Sequence, residues 1–282
     1  MIKRFKKKAV FVLTGLFCLA LFRPVFSQEV VAGQAMTAEQ LTADISQKWN
    51  NIKDFQGDMT VGIQMFGKMM KMEGTMWAKD RLFRMEMTLP PEMMPSANKP
   101  IEPIKVLLVF DGKTMWQMLP MMNMVTKIEY SALEGKMKNM LSGFHYSLPA
   151  VPYKLSEKKR NGIEYYLLET NETNKFIQSS PVSGMGVNLP TNMPFKGISV
   201  WVNKTTLFPD LTEFYFQDNA TPGMSLEFKD IKTDQGLASD LFTFQVPEGM
   251  QVMDMTASMK AMAGKMEKQS TASDTGQAPE WH

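Results

Sequence analysis

The sequence predicts a mainly β protein with a few helices (α+β), built on antiparallel strands. Apolar residues recur with period two over most of the chain, turn residues punctuate the runs, and helical periodicity is confined to three short stretches. The first strand begins at Gly57, where Met59, Val61, Ile63 and Met65 alternate with Asp58, Thr60, Gly62 and Gln64 and so share one face. Lys68 to Lys79 folds back through Phe66-Gly67-Lys68. Phe83, Met85, Met87 and Leu89 then alternate with Arg84, Glu86 and Thr88. Val106 to Phe110 and Lys113 to Leu119 flank Asp111-Gly112, a dipeptide that supplies the positive φ angles of a tight hairpin. Further strands are predicted at Met124 to Tyr130, Tyr153 to Lys158, Gly162 to Thr170, Gly197 to Asn203, Leu211 to Asp218, Met224 to Ile231 and Leu241 to Val246.

The three helices are predicted over Thr37 to Trp49, opened by the capping-box pair Thr37 and Gln40, over Ala132 to Ser142, and over Asp254 to Lys268. Met255, Met259, Met262 and Met266 form one apolar stripe on the last helix, which needs a surface to cover. Pro90 to Pro103 and Ser179 to Pro194 read as loops, and the Ser/Thr/Gly/Pro-containing tail after Gln269 has no apolar face.

The N-terminus carries an address. Lys3, Arg4, Lys6, Lys7 and Lys8 precede an apolar run from Ala9 to Phe22 that Arg23-Pro24 cuts short of the about 20 residues a membrane span needs. Residues 1–27 are therefore expected to be a secretory signal peptide, cleaved near Ser27, and the mature chain is expected to be periplasmic. Two further segments follow: 28–253 as one domain and 254–282 as a Met-rich amphipathic helix with a tail. Loss of a leader with six basic and no acidic residues takes the formal net charge from +2 to −4, which removes the electrostatic basis for nucleic-acid binding. It also removes the single cysteine, Cys18, so neither a disulfide, a thiol nucleophile nor a lipid anchor is expected.

Catalytic chemistry has few carriers. His145 and His282 are the only histidines, and no Gly-rich phosphate loop or Gly-x-Ser-x-Gly elbow occurs. Carboxylate pairs such as Glu164 with Glu169, or Asp218 with Glu227, are what any β protein offers. The expectation is a protein that is not an enzyme and needs no cofactor. The unusual quantity is methionine, at 28 residues. Unbranched thioethers repack around flexible apolar ligands. Clusters such as Met69-Met70-Lys71-Met72 and Met121-Met122-Asn123-Met124 also bring soft ligands together, which leaves Cu(I) binding open; substitution of Met for Leu throughout the core is the third reading.

Several segments together resemble the LolA-type carriers of outer-membrane lipoproteins. They are Gly74-Thr-Met-Trp77-Ala-Lys, Leu82-Phe83-Arg84, Leu108-Val-Phe-Asp111-Gly112-Lys113-Thr114-Met115-Trp116 and Leu241-Phe-Thr-Phe-Gln-Val-Pro247-Glu-Gly249, in that order along the mature chain. The resemblance implies a half-barrel: a strongly curved antiparallel sheet forming an incomplete barrel, whose concave side is roofed by helices around a hydrophobic cavity for acyl chains. Its cargo would be acylated lipoproteins or other lipids, loaded by an inner-membrane ATP-driven exporter and passed to an outer-membrane acceptor, with the carrier itself a monomer. The family's functional arginine, which helps hold the helical lid, is best matched by Arg81. Here Lys79-Asp80-Arg81 stands directly before Leu82, without the usual proline. Arg81 has the parity of Phe83, Met85 and Met87, so these four are expected on the cavity wall, with Met59, Val61, Ile63 and Met65 beside them and Trp77 and Trp116 at matching aromatic positions. An RseB-like lipid or stress sensor, built on a related half-barrel, is the alternative within the same resemblance.

Overall fold

The computed structural model describes residues 36–65, 67–91, 103–132, 148–179, 195–216 and 221–261. The expected helix at Ala132 to Ser142, most of both long loops, and Met262 and Met266 of the methionine stripe lie outside them.

Helix α1 spans Ala38–Asn50. Thr37 caps it as expected, its hydroxyl accepting the amide of Gln40 while the Gln40 side chain accepts the Thr37 amide. Leu41, Ile45 and Trp49 recur on one face and are buried, which fixes the side of α1 that meets the sheet.

The strands are β1 (Asp54–Met65), β2 (Lys68–Lys79), β3 (Leu82–Leu89), β4 (Ile104–Phe110), β5 (Thr114–Leu119), β6 (Met124–Glu129), β7 (Lys154–Arg160), β8 (Ile163–Thr170), β9 (Phe195–Asn203), β10 (Pro209–Phe216), β11 (Pro222–Thr233) and β12 (Gln251–Asp254). They form one sheet in the order β12-β6-β5-β4-β3-β2-β1-β11-β10-β9-β8-β7. All neighbours are antiparallel except β12, which runs parallel to β6. The edge strands β7 and β12 are not paired with each other, so the barrel is left incomplete, as the resemblance implies, within the mainly β class that the alternation predicts. A second helix, α2 (Thr173–Ser179), sets Phe176 edge-on against Phe214 of β10, with ring centroids 6.1 Å apart.

Turn chemistry differs from expectation in one detail. At Asp111-Gly112 only Gly112 has positive φ (+88°), and the Asp111 carboxylate accepts the amides of Lys113 and Thr114, closing the loop from its side chain. The hairpin with two positive φ angles is Asn161-Gly162, at +51° and +84°, between β7 and β8. Gly74 is required for another reason: a Cβ there would stand 1.9 Å from the Glu86 carbonyl oxygen of β3, a close approach no side chain permits.

The larger correction lies near the C-terminus. Leu241 to Val246, predicted as a strand, is not one: Ser239–Phe242 is a single 3-10 turn, and residues 243–247 follow it without a ladder partner. These residues form a strap across the sheet face opposite α1. The Lys79 ammonium donates to the Leu237 carbonyl, Arg84 donates to the Leu241 carbonyl at 3.3 Å, and the Phe244 ring lies 5.4 Å from that of Trp116. The alternation of Phe242 and Phe244 is real, but it packs onto a sheet instead of extending one. Beyond the strap the chain joins the sheet edge as β12, which was not predicted.

β12 is fastened at its end by charge. Asp254 accepts the Thr256 amide at 2.9 Å and the Lys127 ammonium at 3.0 Å, and these contacts, those of Thr256 foremost, hold its carboxyl at about 2. Asp254 also raises the pKa of Lys127. A carboxyl depressed below its ordinary 3.8 stabilises the docked strand at neutral pH and loses that contribution as pH falls through its folded value. Protection of the amides of residues 251–254, relative to their intrinsic exchange rates, is therefore expected to fall between about pH 4 and pH 2, ahead of that in β1. Uniform protection across the sheet over that range would refute the assignment.

Candidate functional site

Strand parity decides which side chains face α1. In β1 these are Phe55, Met59, Val61, Ile63 and Met65, because Phe55 meets Trp49 of α1 at 5.9 Å. Met65 pairs with Lys68 across a two-residue loop, so facing residues sum to an odd number and the inner set in β2 is even-numbered: Met70, Met72, Gly74, Met76 and Ala78. A two-residue loop between Lys79 and Leu82 reverses parity again and puts Phe83, Met85, Met87 and Leu89 of β3 on the inner face. Opposite them stand Phe110, Leu108, Val106 and Ile104 of β4, then Met115 of β5. On the other side of β1, Phe228, Leu226 and Met224 of β11 and Phe214 of β10 extend the same surface.

This inner face has a gradient. Beneath α1, Phe55, Phe208, Phe228 and Trp49 form an aromatic cluster with centroid separations of 4.2 to 5.9 Å. Phe55, Met59, Met76, Ala78, Phe83, Met85, Leu108 and Phe110 are buried. Towards the other end of the same four strands, Ile63, Met65, Met70, Met72, Leu89, Ile104 and Val106 are only half-buried. The sheet thus offers a continuous apolar band that is dry at one end and opens at the other.

Of the ten residues singled out in the sequence, seven lie on this band: Met59, Val61, Ile63, Met65, Phe83, Met85 and Met87. Arg81 is an exposed turn residue at the dry end. Its guanidinium lies 4.8 Å from the centre of the Tyr130 ring, which packs on Phe110, so it sits on the inner side at the rim. Trp77 and Trp116 occupy the other face. Trp77 pairs with Arg84, and Trp116 pairs with Val109, donates its indole N–H to Asp111 at 3.0 Å and lies under Phe244 of the strap. Trp116 braces the sheet beneath the strap, and both tryptophans are withdrawn from the wall. The inner methionines of β2, Met70, Met72 and Met76, were missed, although the loop-length parity that places them is readable from the sequence.

The strap's own anchor is Asp54, 4% exposed, whose carboxylate accepts the amides of Gln235 (2.7 Å), Gly236 (2.8 Å) and Leu237 (3.1 Å). Under the strap Val109, Val125 and Phe242 are buried, a second apolar layer on the outer side of β4 and β6. Farther along the outer face, the buried Glu213 carboxylate accepts from Trp201 (2.8 Å), Tyr215 (2.9 Å) and Arg160 (3.4 Å). Burial, with that carboxylate beside it, pushes the Tyr215 hydroxyl up to about 12. Glu213 thereby ties β9, β10 and the β7 edge together.

A separate cleft of about 380 Å³ lies between α1 and the segment before β7, lined by Thr42, Ser46, Leu148, Pro149, Val151 and Tyr153 among others. None of the ten predicted residues lines it. Among the described residues no group of three His, Cys, Asp or Glu could hold a metal ion, and no helix is long and apolar enough to cross a membrane.

No family model and no curated protein matches the chain. Solved structures do. An uncharacterized conserved protein from Thermus thermophilus is 14% identical, with 77% of this chain and 99% of that one aligned at a TM-score of 0.47. A LolA superfamily protein from Nitrosomonas europaea is 14% identical, with 74% and 99% aligned at 0.33. The Mycobacterium tuberculosis lipoprotein LppX is 9% identical, with 72% and 100% aligned at 0.38. These are the proteins whose folds this chain is similar to.

Proposed function

We propose that this chain is a periplasmic carrier that holds the acyl chains of lipoproteins, or of another lipid cargo, against the inner face of its half-barrel for transfer to the outer membrane. One observation carries the reading: the inner band runs from buried to half-exposed along β1 to β4 without a polar side chain on the inner positions from Ile63 to Phe55 or from Leu89 to Phe83. Such a band takes up a flexible apolar tail progressively from its open end.

Magnitudes fit a shuttle. Each buried methylene contributes about 0.8 kcal/mol, so two or three acyl chains represent tens of kcal/mol gross, comparable with what a bilayer offers. A carrier must nearly match the membrane to load and unload, and the methionines of the wall suit reversible repacking. Directionality would come from partners, an ATP-driven exporter on one side and an acceptor on the other. In this reading residues 1–27 are the export signal, 28–253 the half-barrel and 254–282 an accessory helix and tail.

Mass spectrometry of the protein purified from its native envelope is expected to find co-purified acylated peptides or lipids. Recovery of no lipid, together with no uptake of a fluorescent fatty-acid probe by the delipidated protein, would overturn the proposal. Stoichiometric copper in the same preparation would favour metal binding by the methionines instead.

A further inference from the structure

The open end of the inner band is also one end of the sheet, where β1, β3, β5, β8 and β10 stop and β2, β4, β6, β7, β9 and β11 begin. The described strand termini there share two properties. The first is exposed methionine: Met69 is 37% exposed, Met121 50% and Met122 70%. Met121 and Met122 ride on the 3-10 turn Pro120–Met122. Asn123 closes that turn in the left-handed region, its side chain donating to the Gly249 carbonyl and its own carbonyl accepting the Gln251 amide. Two large apolar side chains are thus held out into solvent by backbone that is pinned on both sides, beside the half-buried Leu119 and Met124 that continue the inner band.

The second property is charge. Lys68, Lys71, Lys105, Lys154 and Lys196 are all exposed at this end. The described acidic residues near them are the exposed Glu73, two residues from Lys71, then Glu248, the half-buried Glu169, and Glu172, which is ion-paired with Lys175 at 3.1 Å, so the lysines still outnumber them. Basic residues around projecting apolar tips match an interface with anionic headgroups outside and hydrocarbon just beneath.

We propose that this end of the sheet seats directly on an anionic lipid bilayer, with Met121 and Met122 dipping into the interface and the surrounding lysines meeting the headgroups. The proposal rests on the carrier reading and gives it a route: the open end of the apolar band would face the hydrocarbon from which a tail must enter. Each lysine held near an anionic leaflet strengthens binding about fivefold, and the effect is screened within a Debye length.

The test is co-sedimentation of the purified protein with vesicles of phosphatidylglycerol and phosphatidylcholine, against vesicles of phosphatidylcholine alone. Binding to the anionic vesicles is expected, at least about tenfold tighter than to the neutral ones and weakened by salt. Lys71→Glu with Lys105→Glu, both on the outer face of their strands, should weaken it by about tenfold or more. Met121→Ser with Met122→Ser should weaken it by about fivefold. Both double variants should keep affinity for a soluble fatty-acid probe within about twofold, because neither touches the inner band. Equal binding to both vesicle types, or unaltered binding in both double variants, would overturn the proposal. So would failure to sediment with either vesicle, the result expected if a protein partner alone receives this end. Probe uptake without vesicle binding removes the membrane seat and leaves the carrier standing, whereas vesicle binding without probe uptake removes the carrier.

Discussion

Replacing Asp54 with alanine is expected to lower the stability of the protein by about 3 kcal/mol, because three backbone amides then lose a buried, charged acceptor at once. Asp54 stands at the start of β1 and gathers the amides of Gln235, Gly236 and Leu237, the residues from which the strap departs. Without that anchor Phe242 and Phe244 lose their fixed approach, and the Val109 and Val125 side of the sheet is opened to water. Chemical denaturation followed by tryptophan fluorescence reads both parts, since Trp116 lies against Phe244. Asp54→Asn keeps one acceptor oxygen and should lose about half as much. A shift below about 0.5 kcal/mol for Asp54→Ala would mean that the strap holds itself in place without this carboxylate.

The second large effect separates folding from binding on one face. Met85 is 8% exposed and lies between Met76 and Leu108, so Met85→Glu puts a charge into a dry layer and should cost several kcal/mol of stability. Met72 lies opposite Val61 on the same face, where the band is half-buried. Met72→Glu should leave stability within about 1 kcal/mol yet reduce fatty-acid probe affinity by about a hundredfold, since there the carboxylate keeps its water until a tail arrives. Unfolding midpoints and probe titrations on the two variants decide the matter. Probe affinity within about twofold of wild type in Met72→Glu would remove the open half of the band from the binding surface.

The difference between what the sequence showed and what it hid follows from the range of the interactions. Alternation in Met59 to Met65 and in Phe83 to Leu89, the capping box at Thr37, and the short loops between consecutive strands are local signals, and each element they predict is present to within a few residues. The inner position of Arg81, Phe83, Met85 and Met87 was also local, because a single strand's parity sets it. Trp77 and Trp116 were misleading since their side depends on parity carried through the connections: facing residues sum to an odd number at each pairing from β1 to β5, which switches odd for even strand by strand and sends both indoles to the outer face. The strap and β12 had no local signature. Phe242 and Phe244 alternate as strand residues do, yet their partners lie on β5 and its neighbours, more than a hundred residues earlier. Only a folded sheet presents the surface that turns such a run into a cover.

The seam between β1 and β11 sets an order of assembly. Met59 pairs with Phe228 and Val61 with Leu226, so the middle of the sheet joins the beginning of the chain to its last quarter. On either side, β1 to β6 and β7 to β11 are meanders whose strands each pair with the next one along, and these can zip up hairpin by hairpin. Until residues 222–233 emerge, β1 has an unpaired edge of alternating apolar residues, the kind of edge that invites association with other chains. A polypeptide with this topology gains from reaching its destination before that seam is closed, and from meeting holding factors while it waits.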